Sequence, residues 1–123
     1  MIGKLGLIMV VVKDMDRSIA FYRDVLGLKL QFQSPEFSQF DAGNIHLGLH
    51  AESDRLKAHP TESAQFAFYV DNIEQAVAHL KAKGVHILRP PKQEDFGILS
   101  IFTDPDGYHV ELCQLAAEGR SAA

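Results

Sequence analysis

Three polar side chains, His46, Gln65 and Glu111, stand in apolar segments that predict strands, and each is able to bind a cation or a polar ligand. A neutral imidazole is a good ligand for Zn, Ni, Mn or Fe, and an amide oxygen binds hard cations more weakly than a carboxylate does. A carboxylate within a strand must face solvent, a charged partner or a functional site, because its burial alone is costly. An ordinary surface position is the alternative for each residue, and an internal ion pair is a further one for Glu111.

Alternation along two of these segments predicts which side chains share a face, because successive residues of a strand point to opposite sides. The first segment alternates two histidines with apolar residues, namely His46 and His50 against Ile45, Leu47 and Leu49. We expect its apolar residues to pack under the helices and its histidines to face a site or water. In the second segment, Glu111 shares its face with His109 and Cys113. His109 is therefore a candidate to interact with the Glu111 carboxylate and support it.

The composition of the 123-residue chain predicts one globular domain of ordinary kind. Hydrophobic residues make up 46% and charged residues 23%, which excludes a disordered tail, a collagen-like rod and a coiled coil. The net charge of −4 and the lack of a long basic run argue against nucleic acid as a partner. A single cysteine, Cys113, excludes an intrachain disulfide and a cysteine-rich zinc site. These features predict a reducing cytoplasm, with Cys113 as a small buried hydrophobic residue rather than a nucleophile.

The apolar run after Lys4 predicts a strand at residues 5–12 and no targeting or membrane segment. The run is only eight residues long, charged residues follow it at once, and no small-residue cleavage pattern is present. Such a run is too short to span a bilayer. Because it is continuously apolar, we expect it to be covered on both faces.

Hydrophobic periodicity predicts the order βαβββ for the first half of the chain. Asp14 is expected to cap a helix that Gly27 ends. The helix has one apolar stripe, formed by Met15, Ile19, Tyr22 and Leu26. Strands are predicted at residues 28–33, 37–42 and 45–50, and residues 51–63 are predicted to be a linker.

The same order is predicted for the second half. A strand at residues 65–70 precedes a helix that Asn72 caps and Gly84 closes, with an apolar stripe formed by Ile73, Val77 and Leu80. Further strands are predicted at residues 85–88, 98–102 and 108–115, with a turn at 104–107. Residues 89–97 are predicted to be a loop, either a plain surface loop or a lid, and residues 118–123 a loose tail.

The two halves repeat each other in residues as well as in pattern. The sequence VKDMD at residues 12–16 stands 58 positions before VDNIE at residues 70–74. Such similarity indicates duplication of a unit too small to bury its own sheet face, so two units must pack together within one chain or between chains. We predict one domain over residues 1–123, with module one at about 4–50, a linker at 51–63 and module two at about 64–115.

A doubled βαβββ module resembles the vicinal oxygen chelate superfamily, which includes glyoxalase I, bleomycin-resistance proteins, extradiol dioxygenases and fosfomycin-resistance enzymes. The local sequence is similar to that of the superfamily at three places: VKDMDRSIAFY at residues 12–22, VLGL at 25–28 and DPDGYHVEL at 104–112. The resemblance covers residues 5–115 and implies an α+β fold in which the two modules form a cup-shaped mixed sheet. Function follows less directly, because one fold carries many chemistries.

The resemblance also implies where a metal ion would bind. The family's ligands come from the first and last strands of the two modules, and these positions fall on Leu7, His46, Gln65 and Glu111. Leu7 departs from the pattern, because an apolar side chain has no donor atom. Three ligands and a water still make a workable site for a divalent ion such as Zn, Ni, Mn or Fe. Extradiol dioxygenase and fosfomycin-type activities are disfavoured, because Leu7 and Gln65 occupy two of the three positions they need.

Two functions are favoured at this point over a third, a structural or interaction module whose cup is filled by side chains, which no amphipathic surface helix or partner motif supports. One is a metal-assisted lyase or isomerase acting on a substrate with vicinal oxygens, in which His46, Gln65 and Glu111 hold the ion and Glu111 is catalytic. The other is a metal-free binding protein for sequestration of, or resistance to, an aromatic or planar molecule. For either function, the predicted substrate contacts are His50, Phe66, Phe102 and His109. The resemblance further implies a small-molecule partner and a homodimer.

Overall fold

A computed structural model describes residues 2–3, 5–54, 56–60 and 66–116, and it shows two four-stranded mixed sheets with a few helical segments. The chain divides into two compact units, residues 1–59 and 60–123. The predicted fold class, two βαβββ modules, is confirmed. Gln65 and the predicted tail lie outside the described residues. Within the described part, no helix is long and apolar enough to cross a membrane.

The first unit has one helical segment and a sheet in the order β1-β4-β3-β2. Its elements are β1 (Leu7–Val12), α1 (Met15–Ala20) with a π-helical continuation (Phe21–Val25), β2 (Lys29–Phe32), β3 (Phe37–Asp41) and β4 (His46–Ala51). Strands β1 and β4 are parallel, whereas the pairs β3–β4 and β2–β3 are antiparallel. The parallel pair needs the helical crossover between its strands.

The second unit repeats this arrangement with the strand order β5-β8-β7-β6. Its elements are β5 (Phe66–Tyr69), α2 (Ile73–Ala82), β6 (Ile87–Glu94), β7 (Gly97–Thr103) and β8 (His109–Leu115). Strands β5 and β8 are parallel, and the other two pairs are antiparallel. Each first strand therefore lies beside the last strand of its own unit, and the two units share one topology.

Both predicted helix starts are confirmed. The side chain of Asp14 accepts a hydrogen bond from the backbone N–H of Arg17 at 3.1 Å, and Asn72 accepts one from Gln75 at 3.1 Å. Both predicted ends are confirmed too, because Gly27 (φ 78°) and Gly84 (φ 79°) adopt the left-handed conformation that glycine tolerates best. Most of the stripe residues pack as expected, because Ile19, Tyr22, Ile73, Val77 and Leu80 are all buried, whereas Met15 and Leu26 are half-buried.

The first helical segment contains one residue more than the second, and the π-helical stretch accommodates it. The capping residues are 58 positions apart, whereas the closing glycines are 57 apart. Within the stretch, the backbone N–H of Leu26 bonds to the carbonyl of Phe21 at 3.1 Å, a spacing of five residues. A π-turn holds one extra residue per turn, so the insertion leaves both helix ends in place.

The prediction that the first strand is covered on both faces is wrong. Val10 and Val12 are buried, but Leu7 and Met9 are each 43% exposed. The reason is that the single helical segment of the unit covers one face of its sheet: Tyr22 packs on Phe40 with ring centroids 6.1 Å apart, and Phe40 is fully buried. The opposite face carries exposed apolar side chains.

The predicted loop at residues 89–97, and with it the lid, is also wrong. Residues 87–94 form β6, which pairs with β7 through an irregular register, and residues 95 and 96 make the turn. The irregularity is held by Ser100, whose hydroxyl donates to the carbonyl of Arg89 at 2.7 Å. Pro90 and Pro91 suggested a loop, but the outer strand of a sheet tolerates residues without an N–H.

The turn that leads into β8 is organised by a buried carboxylate. Asp104 is 5% exposed, and its side chain accepts hydrogen bonds from the backbone N–H groups of Asp106 (3.0 Å) and Tyr108 (2.9 Å). Gly107 has a φ of 92°, which suits glycine. The predicted turn at residues 104–107 is thus confirmed, and it fixes the start of the strand that carries Glu111.

Candidate functional site

One face of the first sheet turns away from the helical segment and is here called the open face. It contains the two histidines of that half that were predicted as site residues, His46 and His50. Cross-strand partners share a face, so the register assigns its members: Leu7, Met9 and Val11 of β1, His46, Gly48 and His50 of β4, and Phe37, Gln39 and Asp41 of β3. Leu47 and Leu49 are buried on the other side. The predicted separation of histidines from leucines is confirmed.

An apolar patch, formed by Leu7, Met9, Phe32 and Phe37, extends across the open face from β1 to β2. The ring of Phe37 covers Gly48 so closely that a Cβ on this glycine would stand 2.7 Å from Cζ of the ring and 3.3 Å from Cδ1 of Leu7. The ring centroid of Phe37 is 5.9 Å from that of Phe32. Glycine at position 48 therefore lets an aromatic ring lie on the strand surface.

His46 stands beside this patch and is held by a glutamine. Its Nδ1 is 2.9 Å from Oε1 of Gln31, and the same oxygen accepts a hydrogen bond from Nε2 of Gln39 at 3.0 Å. On the same face, Nδ1 of His50 lies 2.7 Å from the carbonyl oxygen of Ala51, and its ring centroid is 6.3 Å from that of Phe37. Both imidazoles are thus anchored through Nδ1.

Glu111 lies on the face of the second sheet that α2 does not cover. Its cross-strand partners are Ala67 on β5 and Ile101 on β7, and the side chain is half-buried. Alternation puts His109 and Cys113 on the same face, as predicted. Within residues 66–116 the structure shows no hydrogen bond or ion pair to the Glu111 carboxylate.

Cys113 is buried, at 4% exposure, and burial raises the pKa of its thiol, with the charge of nearby Glu111 as a second cause. Both causes disfavour the thiolate, which is the reactive form. The prediction that Cys113 is a small buried residue rather than a nucleophile is therefore confirmed for its burial.

We expect Cys113 to react slowly with iodoacetamide at pH 8, at least about tenfold slower in the native protein than in 8 M urea.

Because the pKa of the Cys113 thiol is raised on folding, the unfolded chain loses this proton first, so the free energy of unfolding should fall as the pH rises above about 9. Urea titrations at pH 8 and pH 10 measure the effect. The control is Cys113→Ala, which should lose this part of the pH dependence, and an unchanged dependence would contradict the assignment.

Two of the predicted substrate contacts lie on the opposite face of the second sheet. Oε1 of Gln114 accepts a hydrogen bond from the N–H of Ile73 at the start of α2, at 2.8 Å, so the face of Gln114 is the one that the helix covers. Phe66 and Phe102 both pair with Val110, which belongs to that face, and Phe102 is fully buried. We therefore revise the prediction for these two rings: Phe102 is a core residue, Phe66 lies half-buried on the same helix-covered face, and His50 and His109 remain as candidate contacts.

The residues predicted to bind a metal ion belong to different units of the chain. His46 belongs to the first, Glu111 to the second, and Gln65 lies outside the described residues. Within the described ranges, no three His, Cys, Asp or Glu side chains form a group that would hold a metal ion. In the register of the parallel pair, Leu7 lies directly opposite His46. Hydrocarbon therefore occupies the neighbouring position where the resemblance implies a ligand.

A cleft of about 370 Å³ lies elsewhere in the first unit and was not predicted. It is formed by the start of α1 and residues 33–35, with Asp14 and Asp16 on its wall. None of the predicted site residues lines it. Asp14 is already used as the helix cap.

Comparison with known proteins identifies the family. The Glyoxalase/Bleomycin resistance protein/Dioxygenase superfamily matches residues 4–112. The chain belongs to this superfamily. Among curated members, it is 29% identical to a lactoylglutathione lyase of Salmonella typhimurium, over 89% of this chain and 90% of that protein. It is 31% identical to the metallothiol transferase FosB of Staphylococcus saprophyticus, over 91% of this chain and 77% of that protein.

Other members of the superfamily are longer, and solved structures share its fold. The chain spans about half (46%) of the length of the lactoylglutathione lyase of Schizosaccharomyces pombe, to which it is 29% identical over 89% of this chain. Among solved structures, TnmS3, an antibiotic binding protein from Streptomyces sp. CB03234, matches with a TM-score of 0.79 and 24% identity, over 94% of this chain and 98% of that one. This likeness bears out the predicted fold.

Proposed function

We propose that this protein binds a small, planar and largely apolar molecule on the open face of its first sheet, without requiring a metal ion. The observation that carries the proposal is the apolar patch beside His46, where Leu7 and Met9 are each 43% exposed and Phe32 is 49% exposed. Small-molecule sites combine apolar and aromatic walls with a few polar groups that fix orientation. The patch supplies the walls, and the two anchored histidines supply the polar groups.

The donor positions fit a metal ion incompletely. Leu7 has no donor atom, so at most three of the four positions implied by the superfamily can bind a cation, and one of those three is an amide. Apolar contact, by contrast, does not depend on a full set of donor atoms. Its contribution to the binding free energy grows with the apolar area removed from water, at about 25 cal/mol per Å². The face is therefore better suited to an aromatic body than to an ion.

Thermal unfolding in the presence of candidate ligands tests this proposal, because any ligand of the native state raises the melting temperature. We expect 2-naphthol near saturation to raise the Tm, and ZnCl2, NiCl2 or MnCl2 at 100 µM to leave it unchanged. Replacing Met9 by glutamate puts a charge into the patch and should weaken 2-naphthol binding at least about tenfold. The control is Leu88→Glu, at an exposed leucine of β6. A Tm raised only by the metal salts would reject the proposal.

A second candidate is a metal-assisted lyase or isomerase, which the relationship to lactoylglutathione lyases favours. His46, Gln65 and Glu111 would hold the ion, and a bound ion would polarise adjacent oxygens of a substrate. Metal analysis of protein purified without chelator distinguishes the two candidates. About one ion per chain in the wild type, lost in Glu111→Gln, would support the lyase and contradict the metal-free binder.

A further inference from the structure

The hydrogen bonds around His46 determine which of its ring nitrogens carries the proton. Oε1 of Gln31 is a carbonyl oxygen and can only accept, so Nδ1 of His46, 2.9 Å away, must be the donor. Gln39 donates to the same oxygen at 3.0 Å, which keeps the Gln31 amide in this orientation. In the neutral ring, Nε2 then holds a lone pair and acts as an acceptor.

This acceptor borders the apolar patch. Leu7 lies directly opposite His46 in the β1–β4 register, and adjacent strands are about 4.8 Å apart. A flat molecule resting on the patch would therefore place its rim beside the imidazole of His46. The group on that rim that matches a lone pair is a hydrogen-bond donor, so a bare aromatic ring or an ether would leave Nε2 without a partner.

We propose that Gln31 is a positioning residue that fixes His46 as a hydrogen-bond acceptor, so that the site selects planar ligands with a hydroxyl group at their edge. This inference rests on the proposed function and adds a ligand class to it, namely phenols and their fused-ring analogues. His46 contacts the ligand hydroxyl, whereas Gln31 and Gln39 act through His46.

The protonation state of the ring is measurable without any ligand. Long-range ¹H–¹⁵N correlation spectra of the ¹⁵N-labelled protein at pH 8.5 distinguish Nδ1–H from Nε2–H in each histidine. We expect Nδ1–H for His46 in the wild type and in Gln31→Glu, because a carboxylate also accepts. In Gln31→Met the proton should move to Nε2. His50 is anchored by the backbone carbonyl of Ala51, so its signals should stay the same in every variant.

Matched ligands then test the selection. We expect 2-naphthol to bind the wild type about fivefold more tightly than 2-methoxynaphthalene, the factor expected for one net hydrogen bond. In Gln31→Met this ratio should fall to about one, and Gln31→Glu should restore it. Gln33→Met, at an exposed glutamine just after β2 that makes no hydrogen bond to His46, is the matched control and should keep the wild-type ratio.

The outcomes separate this inference from the proposed function. If neither naphthalene compound binds the wild type, the proposed function fails, and with it the ligand class. If both bind equally, or if Gln31→Met keeps the Nδ1–H form or the wild-type ratio, the inference is overturned while the binding function stands. A metal ion bound to Nε2 in preference to 2-naphthol would also overturn it.

Discussion

Replacing Gly97 by alanine is expected to destabilise the protein by at least about 3 kcal/mol. Gly97 opens β7 with a φ of 149°, a conformation that residues with a side chain rarely adopt. A Cβ at this position would overlap the backbone carbonyl oxygen of Gln114 and stand 2.9 Å from Cα of Leu115. Both are backbone atoms of the paired strand β8, so relief requires the strands to separate.

Urea unfolding of Gly97→Ala, followed by circular dichroism, measures this loss. Two glycines serve as controls. Gly84 has a φ of 79° but open space around it, so Gly84→Ala should show only the cost of the left-handed backbone, about 1–2 kcal/mol. Gly6 has open space and no positive φ, so Gly6→Ala should be close to neutral. A loss for Gly97→Ala no greater than that for Gly84→Ala would show that β8 does not approach so closely.

Replacing Leu7 by histidine is expected to create a metal site, with Ni²⁺ binding at least about a hundredfold tighter than in the wild type. Leu7 and His46 are direct cross-strand partners on the open face. Two imidazoles in this arrangement can bind one ion together, because the second ligand is already in place when the first has bound. The wild type has no donor at position 7, so it lacks this pair.

Isothermal titration with NiCl2 at pH 7.5 measures the gain, and Met9→His provides the control. Met9 lies on the same face and strand, but its cross-strand partner is Gly48, which offers no imidazole. We expect weak binding in the control. If the wild type already binds Ni²⁺ as tightly as Leu7→His, then position 7 does not limit metal binding, and the metal-free function proposed above is wrong.

Much of the fold could be predicted because its signals are local. A capping side chain reaches a backbone N–H three residues on, so Asp14 and Asn72 could be assigned from their own neighbourhoods. Alternation is equally local, and it separated Leu47 and Leu49 from the histidines beside them. The repetition of the βαβββ order was also visible, because VKDMD and VDNIE mark equivalent points of the two halves.

The failures arose where tertiary context decides the outcome. A proline pair forbids an inner strand but not an outer one, and the position of a strand within its sheet is not a local property. The predicted strand at residues 85–88 therefore stopped before the prolines, whereas β6 continues to Glu94. Continuous apolar character in residues 5–12 suggested cover on both faces, but it is equally compatible with a strand that has one apolar face exposed. An aromatic residue in a strand is compatible both with a ligand contact and with the core. This is why Phe102 was predicted as a ligand contact, although its ring is buried in the core.

The candidate site was predictable only in part. Residue types and alternation selected His46 and Glu111 as side chains that avoid the core, and the structure places both on faces that their helices leave uncovered. Gln31 and Gln39 escaped notice, because a glutamine in a polar strand has no distinctive sequence signal. Their importance comes from a shared oxygen atom, which only coordinates reveal.

The two prolines of β6 have a consequence for how molecules of this protein meet. β6 is the outer strand of the second sheet, and Pro90 and Pro91 cannot donate to a further strand laid against it. An edge without these donors is a poor template for intermolecular pairing, the route by which exposed edges lead to fibrils. The two prolines that suggested a loop in the sequence thus also disfavour pairing of β6 with a strand of another molecule.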